Sequence, residues 1–185
     1  NPDDDEVREG IRQQIKKIDD LVTYQLSLAS RSGKRTFSAP IFLEPIAIEL
    51  VEGLEKIHAS KEAFCEFEVD SKACLPANKG DMQELLGNLL ENGFKWCRSR
   101  VLLTIAQSKT EVTLMIEDDG HGVPEDKISV IMERGTRVDE QVKGHGIGLA
   151  IVADIVRSYD GKMTIGKSEE LGGAKFLVTI PYDIE

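Results

Sequence analysis

No stretch of this chain is apolar over the roughly 18 residues that crossing a bilayer requires. Cysteine is sparse: Cys65, Cys74 and Cys97 show no C-x-x-C spacing. That argues against a disulfide framework or a zinc site and for buried free thiols in a reducing compartment. Basic charge is in deficit, and a formal net charge of −10 argues against nucleic acid as a partner, since a phosphate backbone repels an acidic surface. A local group of Lys and Arg can still reverse that field at one site. Two common phosphate-binding signatures are missing as well. There is no G-x-x-x-x-G-K-[S/T] loop, and the run Gly144-His145-Gly146-Ile147-Gly148-Leu149 lacks both the G-x-G-x-x-G spacing and the preceding strand of a dinucleotide fold. What remains is 185 residues, 41% hydrophobic and 30% charged, enough for one globular domain with a core and a little extra. The chain opens at Asn1 without Met or a leader and reads as a piece of a longer protein, with any membrane segment outside these residues.

Periodicity divides the chain. Ile11, Ile15, Ile18, Leu21, Val22 and Leu26 recur at helical spacing, so residues 1–31 are expected to form an amphipathic helix that docks on a partner helix or, alternatively, packs on its own domain. Ser32 to Pro40 reads as a linker, and 41–185 as the main domain. There a second amphipathic helix is expected from Pro45 to about Ser60, with Ile46, Leu50, Leu54 and Ile57 on its apolar face. Ala63–Asp70 alternates as a strand that Ala73–Ala77 is expected to pair. Asn78 suits the N-cap of a helix reaching Trp96. Val101–Gln107 and Glu111–Asp118 form a hairpin through Ser108-Lys109-Thr110. A short helix over Pro124–Glu133, a polar stretch over Arg134–Lys143, a helix over Gly146–Tyr159, and two strands around Gly172-Gly173 complete the chain. Helices and hairpins alternate irregularly, which fits an α+β two-layer sandwich better than a doubly wound sheet.

Three clusters carry the chemistry. On a helical wheel Glu84, Asn88, Glu91, Asn92 and Lys95 share one arc, with Leu86, Leu89, Leu90 and Phe94 opposite. Such a stripe can be a solvated face. Yet Asn is a poor helix former, so two of them at i and i+4 forgo stability, which favours a role for their oxygens beside Mg²⁺ and phosphate, with Lys95 neutralising charge. Asp118 continues the apolar phase of Val112, Leu114 and Ile116, a costly place for a carboxylate without a partner. It can cap an ordinary turn, or it can accept from a purine amino group while Gly120 and Gly122 let the base lie against the backbone. Gly144, Gly146 and Gly148 suit a lid whose N–H groups close over phosphates. Arg134, Arg137 and Lys143 either add charge to that lid or belong to a solvated loop.

Together these motifs resemble the ATP-binding domain of sensor histidine kinases in the gyrase–Hsp90–kinase–MutL superfamily. Asn88 to Trp96 resembles the N box, Asp118–Val123 the G1 box and Gly144–Leu149 the G2 box; Glu125–Arg134 stands where the F box is expected, with Met132 in place of its Phe. Glu117-Asp118-Asp119-Gly120, Arg134 to Asp139 and Leu171-Gly172-Gly173-Ala174 are most similar to PhoQ-type kinases. The resemblance implies a Bergerat-type fold, a mixed sheet backed by helices, with ATP·Mg²⁺ held between helices and an ATP lid. It implies Mg²⁺ on Asn88 and Asn92, phosphate on Lys95 and adenine on Asp118. By matching position it extends nucleotide contacts to Trp96, Gly120, Gly122, Val123, Arg137, Val138, Lys143, Gly144, His145, Gly146, Ile147, Gly148 and Leu149, with His145 also on the metal side.

The histidines are His58, His121 and His145, and none has the acidic-apolar-Pro context of a phosphoacceptor. The resemblance therefore implies a catalytic domain that transfers the γ-phosphoryl group of ATP to a His on a separate dimerisation domain, and from there to a response regulator. Residues 1–31 become the end of a dimerisation helix. The parent is expected to be a homodimer in the bacterial inner membrane, with this part in the cytoplasm and making no membrane contact itself. An ATPase of the gyrase, Hsp90 or MutL kind is the alternative, but it needs a general base where this chain has Asn88, an amide that takes no proton at neutral pH. A nucleotide-sensing module without transfer activity is the other.

Overall fold

The computed structural model describes residues 39–128 and 148–182, together with Ile15 and Val22, which are helical and exposed. The chain divides into two compact units, Asn1–Thr36 and Phe37–Glu185. The remainder of the expected helix over residues 1–31 lies outside the described residues.

The second unit begins with β1 (Pro40–Phe42) and α1 (Leu43–Ile57), followed by a 3-10 turn at Ala59–Lys61. Next come β2 (Phe64–Val69), β3 (Cys74–Pro76), α2 (Lys79–Trp96), β4 (Arg100–Gln107) and β5 (Glu111–Asp118). It closes with α3 (Gly148–Ser158), β6 (Lys162–Lys167) and β7 (Ala174–Pro181). Five strands form one sheet in the order β2-β4-β5-β7-β6. The β2–β4 pair is parallel and the other pairs are antiparallel. A mixed sheet with α2 between α1 and α3 is the expected α+β sandwich. Among the described residues no helix is long and apolar enough to cross a membrane.

Sequence period explains the packing. Val101, Leu103 and Ile105 on β4 alternate inward, as do Val112, Leu114 and Ile116 on β5 and Phe176, Val178 and Ile180 on β7; all are buried. Met82, Leu85, Leu86, Leu89, Leu90 and Phe94 supply the facing stripe of α2. Gly93 lets that helix sit close, since a Cβ there would lie 3.2 Å from Val101 Cγ1 and 3.4 Å from Ile116 Cγ2. Asn78 caps α2 as expected, with Oδ1 accepting from Gly80 N at 2.8 Å and Asp81 N at 3.3 Å.

Three expectations need correction. The segment around β3 does not pair with β2: it pairs antiparallel with β1, a strand the periodicity did not reveal. One edge of β2 is taken by β4, and on β2 the Cys65 N–H donates to Glu55 Oε1 at 3.0 Å, so β3 turns away through Asp70. The buried face of α1 is Leu43, Ile46, Ala47 and Val51. Ile57, expected inside, is 73% exposed because the last turn of α1 is left uncovered. The cysteines are free thiols; Cys65 and Cys97 are buried but Cys74 is partly exposed. Of the short helix expected after Pro124, residues 125–128 are helical and the rest lies outside the described residues.

Candidate functional site

The C-terminal end of α2 and the C-terminal end of β5 meet at one edge of the sandwich, and this junction gathers most of the expected site. Asp118 closes the inward row of β5 and is 2% exposed. Its Oδ1 accepts from Gly120 N at 2.8 Å and Ala174 N at 3.2 Å. Among the described residues this leaves Oδ2 for a ligand's donor. Burial pushes the carboxyl above the ordinary carboxylate range, and the Gly120 and Ala174 N–H groups offset part of that shift. A carboxylate kept in this setting is ready to accept one more hydrogen bond, which would compensate its lost hydration.

Glycine makes the surroundings possible. A Cβ on Gly120 would strike the Trp96 carbonyl oxygen and come within 2.8 Å of Asp118 Oδ1. A Cβ on Gly173 would strike both the carbonyl and the carboxylate oxygens of Asp118, so the β6–β7 turn can press against the acid, with Gly173 N donating to Asp118 O at 3.0 Å. Gly122 adopts φ +75°, a left-handed conformation that favours glycine. Val123 follows it, half-buried.

Asp119 fixes the junction from the other side. It accepts from Arg98 N at 2.7 Å and from Ser99 N and Oγ at 3.1 Å, binding the turn after α2 to the end of β5. Burial opposes its charge, but the hydrogen bonds from residues 98–100 outweigh that and hold its carboxyl below the usual range. Trp96 is held in the same corner, 42% exposed. Its ring meets His121 edge-on at 5.4 Å, and Lys95 Nζ lies 5.0 Å from its centroid, a cation–π distance.

Asn88 and Asn92 are half-buried on α2. Each spends its amide on its own helix: Asn88 Nδ2 donates to Glu84 O at 2.7 Å and Asn92 Nδ2 to Asn88 O at 3.0 Å. The carbonyl oxygens are thereby oriented as the remaining polar atoms, the hard donors that suit Mg²⁺. Gly148, at the start of α3, abuts Asn88 Oδ1 so closely that a Cβ would collide with it. Leu149 follows, half-buried. Asn88, Asn92, Lys95 and Trp96 thus lie along α2, with Gly148 against Asn88 and Gly120 between the Trp96 carbonyl and Asp118; Gly122 and Val123 follow Gly120 in the chain, and Leu149 follows Gly148. Arg134, Arg137, Val138, Lys143, Gly144, His145, Gly146 and Ile147 lie outside the described residues. His58 caps α1 and stacks on Phe94 at 5.8 Å, a structural placement. Sequence reasoning did not single out Asp119 or Gly173. The Asp-Asp and Gly-Gly pairs were visible, but a turn signal does not say what the turn touches.

Residues 77–184 match the family described as histidine kinase-, DNA gyrase B-, and HSP90-like ATPase. The chain is 36% identical over 168 residues to the two-component sensor PhoQ of Pseudomonas aeruginosa, covering 91% of this chain and 37% of that protein. It is 35% identical over 176 residues to the sensor protein kinase CarS of the same organism, covering 95% of this chain and 39% of that protein. The chain thus spans less than half the length of these relatives. Among solved structures, full-length ShkA in complex with AMPPNP aligns with a TM-score of 0.72 at 24% identity, covering 94% of this chain and 36% of that chain; this likeness bears on the fold.

Proposed function

This chain belongs to the histidine kinase-, DNA gyrase B- and HSP90-like ATPase family, and on that premise we propose that it is the catalytic domain of a two-component sensor kinase, which binds ATP with Mg²⁺ and passes the γ-phosphoryl group to a histidine on a separate dimerisation domain. The observation that carries the reading is the pairing of a buried acceptor with an amide stripe. Asp118 offers one carboxylate oxygen at the end of an apolar row, which suits the amino group of adenine. Gly120, Gly122 and Val123 let the base lie along the backbone, and Trp96 walls it.

Asn88 and Asn92 supply amide oxygens at the other end, and Lys95 is within a side chain's reach of their stripe. Among the described residues no three His, Cys, Asp or Glu converge as a metal cage, so a cation here would share its oxygens with phosphate and water, as Mg²⁺ prefers. When bound, Mg²⁺ supplies charge neutralisation to the phosphates. Gly148 and Leu149 start a helix whose N-terminal end suits anions. Arg137, Val138, Lys143, Gly144, His145, Gly146 and Ile147 would form the lid over the β- and γ-phosphates, with His145 facing the metal.

The chain's own residues bind and orient; among the described residues no carboxylate stands one turn before Asn92, the place of a water-activating base. Asn88 occupies that place and takes no proton. An acceptor imidazole brings its own lone pair, so positioning and charge neutralisation suffice. This favours transfer over hydrolysis. In the same reading residues 1–31 end a dimerisation helix, 32–40 link it to the catalytic domain at 41–185, and a response regulator takes the phosphoryl group next. The parent is a homodimer of the bacterial inner membrane with this domain in the cytoplasm. The test is to supply γ-labelled ATP·Mg²⁺ and a dimerisation domain carrying the acceptor His. Acid-labile label should appear on the added domain and not on this chain. Label on His58, His121 or His145 at a comparable rate, or release of phosphate without transfer, would overturn the proposal.

A further inference from the structure

Lys61 belongs to the 3-10 turn after α1, outside every motif that the sequence singles out. Its ammonium donates to Phe94 O at 3.1 Å and to Lys95 O at 2.6 Å. These carbonyls lie in the last turn of α2, where carbonyl groups have no partner within the helix. They also carry the negative end of the helix dipole, worth about half an elementary charge. The same turn presents Lys95 and Trp96, which the preceding reading assigns to phosphate and base. Asp119 holds the next turn, residues 98–99, through a separate set of bonds, so the end of α2 is clamped from two directions.

We infer that Lys61 is a positioning residue for the nucleotide site. It fixes the last turn of α2, and with it the Trp96 ring and the Lys95 side chain, and it offsets negative charge beside a polyanionic ligand. The inference rests on the ATP reading above. Two hydrogen bonds from one cation distinguish it from a solvated surface lysine, because such a lysine makes no fixed contacts. A lysine placed to stabilise α2 alone would serve equally at any of its terminal carbonyls; this one grips the two that immediately precede Trp96.

Trp96 is the single tryptophan of the chain, so its emission reports on this turn directly. The experiment compares Lys61→Met and Lys61→Arg with the parent chain by ATP·Mg²⁺ titration, Trp96 emission and thermal unfolding. Lys61→Met should bind ATP·Mg²⁺ roughly two- to fivefold more weakly, the scale of a lost charge at a helix end, with a shifted Trp96 emission. Lys61→Arg should restore both, since a guanidinium can also donate twice. Parent-level affinity and emission in a folded Lys61→Met chain would overturn the inference alone. So would a loss of affinity that follows lowered thermal stability and leaves the Trp96 emission of the folded protein unchanged. If the parent chain itself does not bind ATP·Mg²⁺, the functional reading falls and takes this inference with it.

Discussion

Asp118 is buried, with one oxygen held by N–H groups from two segments of chain, whereas Asn88 and Asn92 stand half-buried on one helix and, among the described residues, bond backward along it. The proposed base end is thus a product of tertiary structure, in which β5, the β6–β7 turn and the end of α2 each contribute backbone. The proposed metal end rests on amides four residues apart on one helix, with Gly148 of α3 packed against Asn88 Oδ1. Changes at the base end should therefore disturb binding and fold together unless they preserve acceptor geometry, while changes at the metal end should leave the fold alone.

The largest effect should come from the metal end. Asn92→Ala removes a proposed Mg²⁺ ligand and should cut phosphotransfer to an added acceptor domain by on the order of 100-fold or more. The melting temperature should hardly move, because Ala's helix propensity offsets the lost bond to Asn88 O to within about 0.5 kcal/mol. A lower melting temperature with transfer retained would make Asn92 a structural residue.

Asp118→Asn should come next. The amide oxygen can still accept from Gly120 N and Ala174 N, so the fold should survive and gain from losing a buried charge. Facing adenine, the amide loses a charge-assisted bond worth about 1.5–3 kcal/mol, roughly a 10- to 150-fold loss of ATP affinity. Unchanged affinity in the folded variant would make Asp118 a turn residue. Gly173→Ala sharpens the contrast, since its Cβ would strike Asp118. Overpacking of this kind costs about 1–3 kcal/mol, visible as a lower denaturation midpoint alongside weaker ATP binding. A parent-like midpoint would show that the turn can yield.

The smallest effect is a pH dependence with opposite signs in neighbouring residues. Asp118 has a raised folded pKa, so its buried charge costs stability at neutral pH and that cost disappears as pH falls through the raised value. ATP affinity should decline over the same window, above the ordinary carboxylate range, because the protonated acid no longer accepts as a charge. Asp119 has a lowered pKa, so its stabilisation is present above the unfolded value and is lost as pH falls through the lowered folded one. ATP titrations and melts across acid pH, with Asp118→Asn as reference, check this. Equal acid sensitivity of affinity in parent and variant would refute the Asp118 assignment.

Much of this arrangement was legible in the chain. The wheel position of Asn88 and Asn92, the Asn78 cap and the inward phase of Asp118 follow from local periods, and local periods survive folding. The pairing of β3 with β1 did not follow, because a three-residue strand carries almost no periodic signal and its partner lies beyond α1. Nor did the grip of Lys61 on Lys95 O or the pressure of Gly173 on Asp118, contacts across 34 and 55 positions that nothing local encodes. The exposed Ile57 shows the converse limit: a residue in the right phase stays outside where its helix outruns its neighbour.

The contrast between the two ends is tested most directly by titrating ATP with and without Mg²⁺ into the parent chain, Asp118→Asn and Asn92→Ala. Asp118→Asn should lower affinity by a similar factor in both conditions and keep the gain that Mg²⁺ confers. Asn92→Ala should bind metal-free ATP like the parent chain and lose that gain. If Asp118→Asn abolished the Mg²⁺ dependence, or Asn92→Ala weakened metal-free ATP as strongly as ATP·Mg²⁺, the division of the site into a base end and a metal end would be wrong.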